Sequence, residues 1–294
     1  MSLFTLQNER LKLLVSGQGG AIEGLWWQNE GQLIPLLRPG KQSGIAVESS
    51  CFPLVPFGNR VSGNAFTFAG KDYRLQPNVA WDSHYLHGDG WLTLWQPLEE
   101  EPGWLVLEYQ HLEGPYRYAV QQTFHLSGDS LTVSLTVVNN GKEPLPFGLG
   151  WHPYFPLTAQ TSIQARATGY WLEREQWLAG EFQPQLPKSL DFNQPNELPR
   201  RWVNNAFSGW DGQAKIAYPQ EGVALSMETD PPAPCYFIFV SDPQFDEGYD
   251  FDFFCLEPMS HAPDDHHRPG GGLLTTLKQG ETLGQNMRIS VSTL

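Results

Sequence analysis

Glycine and proline recur along the whole chain, 29 and 24 of 294 residues, so no segment offers the uninterrupted run that a long helix needs. Proline inside a helix removes a hydrogen-bond donor and clashes with the preceding turn, and glycine costs backbone entropy. Short strands joined by many turns are the alternative. Residues 131–138 show the period directly: Leu131, Val133, Leu135 and Val137 alternate with Thr132, Ser134 and Thr136, the pattern of a half-buried strand. Asn139-Asn140-Gly141 then supplies a turn. Further strands are expected at 105–109, 116–126, 222–228, 236–240 and 288–292. Only 172–180 reads as a helix, and the Pro-rich 183–199 reads as the longest excursion. No fixed repeat and no compositional break marks a linker. The expectation is all-β: one large antiparallel β-sandwich domain over residues 1–294. Apolar types make up 40% of the chain, enough to fill such a core.

Charge narrows the partners. The formal net charge is −14, with 18 basic residues spread thinly. No Lys/Arg stripe is available to neutralise phosphates or an anionic membrane, so nucleic acid and lipid are excluded as expected partners. An acidic surface also gives no steering to a multiply charged anion, which favours a neutral small-molecule ligand. Cys51, Cys235 and Cys255 are odd in number and lack CxxC spacing, so they read as reduced thiols of a cytoplasmic protein. No basic, then apolar, leader and no run of about 18 apolar residues is present.

Several short segments carry chemistry. In 251–257, alternation puts Phe251, Phe253, Cys255 and Glu257 on one strand face, a carboxylate among apolar neighbours. Desolvation there raises its pKa toward that of a general base, although pairing with a surface cation would explain a strand-end Glu equally well. In Phe147-Gly148-Leu149-Gly150-Trp151-His152 the two glycines share the His152 face. They leave room beside the imidazole, for a ligand or for a close strand crossing. Tyr85 and His87 share a face just before a glycine-rich turn, and Trp91 follows, either to stack on a sugar or to fill the core. Asn59-Arg60 sets a fork of donors after two prolines, for hydroxyls or for a salt bridge. His261, Asp264, Asp265, His266 and His267 lie in a Pro- and Gly-flanked stretch without regular spacing. They read as a solvated loop, and no metal site is expected.

The order of these segments, Asn59-Arg60, Leu86-His87-Gly88, His152-Pro153-Tyr154-Phe155, then Leu256-Glu257 with Pro263-Asp264, resembles the aldose 1-epimerase family, the galactose mutarotase-like sandwiches. The resemblance implies an enzyme that interconverts the α and β anomers of a free aldose by opening and closing its ring. It implies Glu257 as the base on the anomeric hydroxyl and His152 as the acid on the ring oxygen. His87 and Arg60 would hold the sugar, with Asn59 and Trp91 nearby and Asp211 of Gly209-Trp210-Asp211-Gly212 on a hydroxyl. No cofactor is implied, and the chain would act on a neutral hexose as a monomer or homodimer. The tips of His152 and Glu257 are expected on the order of 4–8 Å apart, flanking one ring. Many relatives carry Asn-His-Leu-His-Gly where this chain has His84-Tyr85-Leu86-His87-Gly88, and Glu-Thr-Gln where it has Glu257-Pro258-Met259. Two rivals share the fold: a sugar-binding module without catalysis, and a glycoside hydrolase using Glu257 with Asp211.

Overall fold

The computed structural model describes residues 2–294. Two large antiparallel sheets carry the chain. The first has eleven strands, in the order Leu3–Gln7, Leu11–Ser16, Ala21–Asn29, Cys51–Leu54, Gly150–Pro156, Phe253–Met259, Cys235–Val240, Val203–Ser208, Gly169–Arg174 and Leu178–Gln183, with Gln32–Pro35 added on Ala21–Asn29. The second has nine, running from Gln96–Glu101 through Trp104–His111, Tyr118–Ser127, Ser130–Asn139, Thr282–Thr293, Val223–Asp230, Gln213–Tyr218 and Ser162–Ala165 to Asn196–Glu197. The strands expected around 105–109, 116–126, 131–138, 222–228, 236–240 and 288–292 all form.

The period of two decides which side chains meet between the layers. In Ser130–Asn139, Leu131, Val133, Leu135 and Val137 are fully buried while the intervening Thr132, Ser134 and Thr136 are not. In Gly150–Pro156, Trp151 turns to the second sheet, where its indole Nε1 donates to Gln122 Oε1 at 3.2 Å. Its neighbours His152 and Tyr154 therefore stand on the opposite face of the eleven-stranded sheet. The loops from Val55 to Trp91, the turn at Gln176 and Trp177 and the segment after Val240 lie on that side.

One expected helix is a hairpin. Gly169–Arg174 pairs with Leu178–Gln183, and the turn between them places Gln176 and Trp177 at φ of +59° and +57°. Leu, Glu, Arg, Gln and Ala in 172–180 favour a helix locally. Pairing of Gly169 and Tyr170 with Ser208 and Phe207 on the sheet edge overrides that preference.

Candidate active site

The floor of the site is one row of side chains across four adjacent strands. His152 lies opposite Phe52, and Glu257 opposite Phe237. The register that pairs Tyr154 with Cys255 and Gly150 with Met259 sets His152 beside Glu257. Their side chains meet: His152 Nε2 is 3.3 Å from Glu257 Oε1. The separation expected from the sequence was larger. The two oxygens that exchange protons in ring opening are bonded to the same carbon, so an acid and a base side by side reach both without flanking the ring.

Packing holds the imidazole. Phe52 stacks on His152 at 4.5 Å between centroids, and Tyr154 packs on it at 4.7 Å. Arg38 lies over the Tyr154 ring at 3.8 Å, its Nη2 donating to the carbonyl oxygens of Val47 and Ser49. Both partners of the pair are buried. Burial holds the Glu257 carboxyl well above the usual carboxylate range, opposed by the positive Arg60. Burial, aided by Arg38, pushes the His152 imidazole down to about 3. Both shifts disfavour charge, so burial weakens the ion pair relative to the neutral pair. Glu257 Oε2 and His152 Nδ1 are buried without a hydrogen-bond partner, two polar atoms that gain if a ligand hydroxyl meets them.

His87 closes the site from the side, its ring perpendicular to that of His152 at 5.4 Å. Its Nδ1 accepts from the Asn59 backbone N–H at 3.0 Å, and the His87 backbone N–H donates to the Asn59 carbonyl. Asn59 and His87 both sit in the left-handed region, at φ of +61° and +60°, a backbone cost that persists where a site over-determines it. Burial, with His152 and Arg60 adding to it, holds the His87 imidazole well below its ordinary value. With Nδ1 accepting, the neutral ring carries its proton on Nε2 and is a fixed donor. Arg60 donates through Nε to Asp82 Oδ2 at 2.8 Å, both side chains being nearly or fully buried at 9% and 0% exposure.

Other expected residues do different work. Asn59 sets the positions of His87 and Arg60, its Oδ1 accepting the Arg60 backbone N–H. Trp91 is core rather than cleft: it is buried, its Nε1 donates to the Leu86 and Gly88 carbonyls, and it stacks on Phe52 at 5.1 Å. Asp211 stays in its turn, accepting from the Gln213 N–H and standing 3.9 Å from Arg166. It has no contact with the His152 row. The room at Gly148 is filled by protein, since a Cβ there would overlap the His261 ring, and at Gly150 one would lie 2.5 Å from the Pro258 carbonyl oxygen. Nor is 261–267 a solvated loop. His261, Asp265 and His266 are buried; Asp265 Oδ2 accepts from Ala262 and Leu273, His261 meets Gly58, and His266 meets Tyr116. Among the described residues no group of three or more His, Cys, Asp or Glu is placed to hold a metal ion.

Three contributors lie outside the sequence reading: Asp82, Arg38 and Trp177. Asp82 shows one local signal, an Asx-type bond from Oδ1 to the His84 N–H, but its partner Arg60 is 22 residues away.

The model for aldose 1-epimerases matches residues 2–290. The chain belongs to the aldose 1-epimerase family. It is 64% identical, over the full length of both chains, to the uncharacterised protein YphB of Escherichia coli strain K12. It also resembles the crystal structure of a provisionally assigned aldose 1-epimerase from Escherichia coli K12. That likeness has a TM-score of 0.97 and 64% identity, covering 100% of this chain and 99% of that one. The GalM/aldose epimerase homologue of C. elegans shares the fold at a TM-score of 0.84 and 15% identity, with 100% and 99% covered. Every residue of the cluster, from Arg38 to Glu257, falls within the aldose 1-epimerase match.

Proposed function

We propose that the protein is an aldose 1-epimerase that exchanges the anomers of a free, uncharged aldose at the His152–Glu257 pair. The observation that carries this reading is the buried imidazole–carboxylate contact of 3.3 Å, with His87 converging on it and Arg60 beside it. Ring opening removes the proton of the anomeric hydroxyl and delivers one to the ring oxygen; the open aldehyde rotates about C1–C2 and recloses. Glu257 is the base and His152 the acid. Opening turns the ionised Glu257 and protonated His152 into the neutral pair, and closing returns both protons and resets it. The His87 Nε2–H and Arg60 donate to the ring oxygen as its charge develops. No electron and no group is transferred, so the reaction asks for no cofactor.

The charges around the cleft favour a neutral sugar over a phosphosugar. Arg60 is held by Asp82, Arg174 stands 3.7 Å from Asp264 and Arg268 stands 3.2 Å from Asp265. These three are paired with carboxylates, and Arg38 beside His152 is engaged by the Val47 and Ser49 carbonyls and the Tyr154 ring. A glycoside hydrolase needs a second carboxylate across the bond it cleaves; Glu257 faces an imidazole, and Asp211 has its partners in another turn. A binding module without catalysis gains nothing from burying a carboxylate and an imidazole against each other. The reading includes one domain over 1–294 acting in the cytoplasm, a location favoured by three buried free thiols. Among the described residues no helix is long and apolar enough to cross a membrane.

The test is polarimetry or NMR exchange on freshly dissolved single-anomer sugars. Catalysed exchange in the parent and its loss in Glu257→Gln support the reading. An inert parent across aldohexoses, aldopentoses and reducing disaccharides overturns it.

A further inference from the structure

Five groups stack in series through the site. The Arg38 guanidinium lies 3.8 Å from the Tyr154 ring centroid. Tyr154 packs on His152 at 4.7 Å and 30°, His152 on Phe52 at 4.5 Å and 22°, and Phe52 on Trp91 at 5.1 Å and 22°. Both ends are anchored. Trp91 Nε1 donates to the Leu86 and Gly88 carbonyls, on either side of His87. At the other end, the Arg38 backbone N–H donates to the Tyr154 carbonyl at 2.8 Å, so the guanidinium returns over the ring of the residue that its own backbone holds. Its Nη2 donates to the Val47 and Ser49 carbonyls at 2.8 and 2.6 Å, and the Phe253 ring stands 4.4 Å from it.

The charges around His152 differ in kind. Glu257 and Cys255 face it from the adjoining strand, Tyr154 from its own strand, and His87 with Arg60 behind it from the loops; the Cys51 thiol meets the His152 backbone. Burial pushes both thiols and the Tyr154 phenol up and the His87 imidazole down, so all four stay neutral. Besides the pair itself, Arg60 and Arg38 are then the permanent charges. Arg60 is compensated by Asp82 at 2.8 Å. Among the described residues no carboxylate stands within ion-pair distance of Arg38. Its donors meet neutral carbonyls, and Glu23 and Glu48 feel its charge from further off.

We propose that Arg38 is a positioning residue for the reaction: acting through Tyr154, it clamps the stack that orients the His152 imidazole and sets an uncompensated positive charge against protonation of that ring. The inference rests on the epimerase reading and adds to it a group that does not touch the sugar. A guanidinium over an aromatic face holds it by a factor of roughly two to thirty. The clamp keeps the acid aimed at the ring oxygen, and the charge favours release of its proton. Arg38 and Arg60 thereby act on opposite members of one pair, Arg38 on the imidazole and Arg60 on the carboxylate.

The experiment measures anomer exchange against pH in the parent, Arg38→Gln and Arg38→Lys, on whichever single-anomer sugar the parent exchanges. In Arg38→Gln, kcat is expected to fall at least about fivefold, as a loosened acid requires, with KM within about twofold of the parent. The acid limb of kcat/KM should rise by about one pH unit, the effect of a unit charge two ring spacings away at an effective dielectric of about 20. Arg38→Lys keeps the charge and loses the planar stack, so its limb stays with that of the parent while its kcat falls between the other two. If Arg38→Gln does not fold, Arg38→Met, whose stem remains on the Tyr154 ring, takes its place with the same expected outcomes. A raised KM at parent kcat makes Arg38 a sugar contact and overturns the proposal. So does an acid limb that stays put without the charge, or one that moves as far in Arg38→Lys as in Arg38→Gln. A parent inert on every sugar overturns the epimerase reading instead. Nitrogen-15 NMR titration of the His152 ring separates the two failures, because an imidazole titration unmoved by Arg38→Gln overturns this inference whether or not the parent turns sugar over.

Discussion

Asp82→Asn tests whether Arg60 is held as the geometry says. Asp82 uses both carboxylate oxygens: Oδ2 takes the Arg60 Nε–H at 2.8 Å, and Oδ1 takes the His84 N–H at 2.8 Å. An amide offers one acceptor for these two donors, so its NH2 must face one of them. Arg60 is 9% exposed and Asp82 fully buried, so the substitution leaves a guanidinium desolvated without its counter-charge. Removing one partner of a buried pair costs about 3–5 kcal/mol. The lower end is expected, since Arg60 Nη1 keeps the Trp177 carbonyl and the side chain borders the cleft. Urea unfolding followed by tryptophan fluorescence reads the loss as a lower midpoint at constant slope. Arg60→Met/Asp82→Asn removes the stranded charge while keeping an acceptor for His84, and should recover most of the stability though not the activity. A single variant within about 1 kcal/mol of the parent, or a double variant no more stable than the single, refutes the reasoning.

Other perturbations read the site itself. Glu257→Gln keeps shape and removes the base, so anomer exchange should fall by at least about 10²-fold with sugar affinity largely kept; near-normal turnover sinks the mechanism. The pH profile of kcat/KM should be a plateau with two limbs belonging to the pair. Falling pH adds a second proton as it passes about 3, and rising pH removes the only one as it passes the raised value of Glu257. An acid limb at the ordinary imidazole value of 6.5, after subtracting buffer catalysis, would mean a solvated His152 and contradict the burial argument. Gly148→Ala drives a methyl into the His261 ring; overpacking of this kind costs about 1–3 kcal/mol, read by thermal unfolding, and no loss would mean that His261 moves freely.

What could be read from the sequence was whatever depends on the period of two. Alternation in 131–138 and in 253–257 decides which side chains enter the core and which reach the site, and neither needs a distant partner. The limits are equally specific. His261, Asp265 and His266 look like solvated polar residues because their acceptors and donors are the backbones of Gly58, Ala262 and Leu273 and the hydroxyl of Tyr116, all remote or without sequence signature. The 172–180 segment has helix-forming residues and becomes a hairpin because a sheet edge accepts it, which no local window contains. Trp91 packs beside His87 and Trp177 beside Arg60, two tryptophans at neighbouring residues of the site. Only the fold decides that the first donates to its own loop and the second borders the cleft.

Burial acts on the two members of the pair in opposite senses, and that opposition suits a reaction that returns to its starting protonation state. A solvated carboxylate beside a solvated imidazole would rest as an ion pair, with a weak base and a stabilised acid. Desolvation raises Glu257 and lowers His152, which brings the ion pair and the neutral pair closer in free energy. Ring opening takes the pair from one to the other, and closing takes it back. Neither state should then be a deep well, because a deep well on either side would slow one half of a reversible exchange. Arg60 sets the balance. Its positive charge opposes burial at Glu257, and Asp82 fixes where that charge sits. Loss of Asp82 therefore acts on the chemistry through the proton balance of a pair it does not touch.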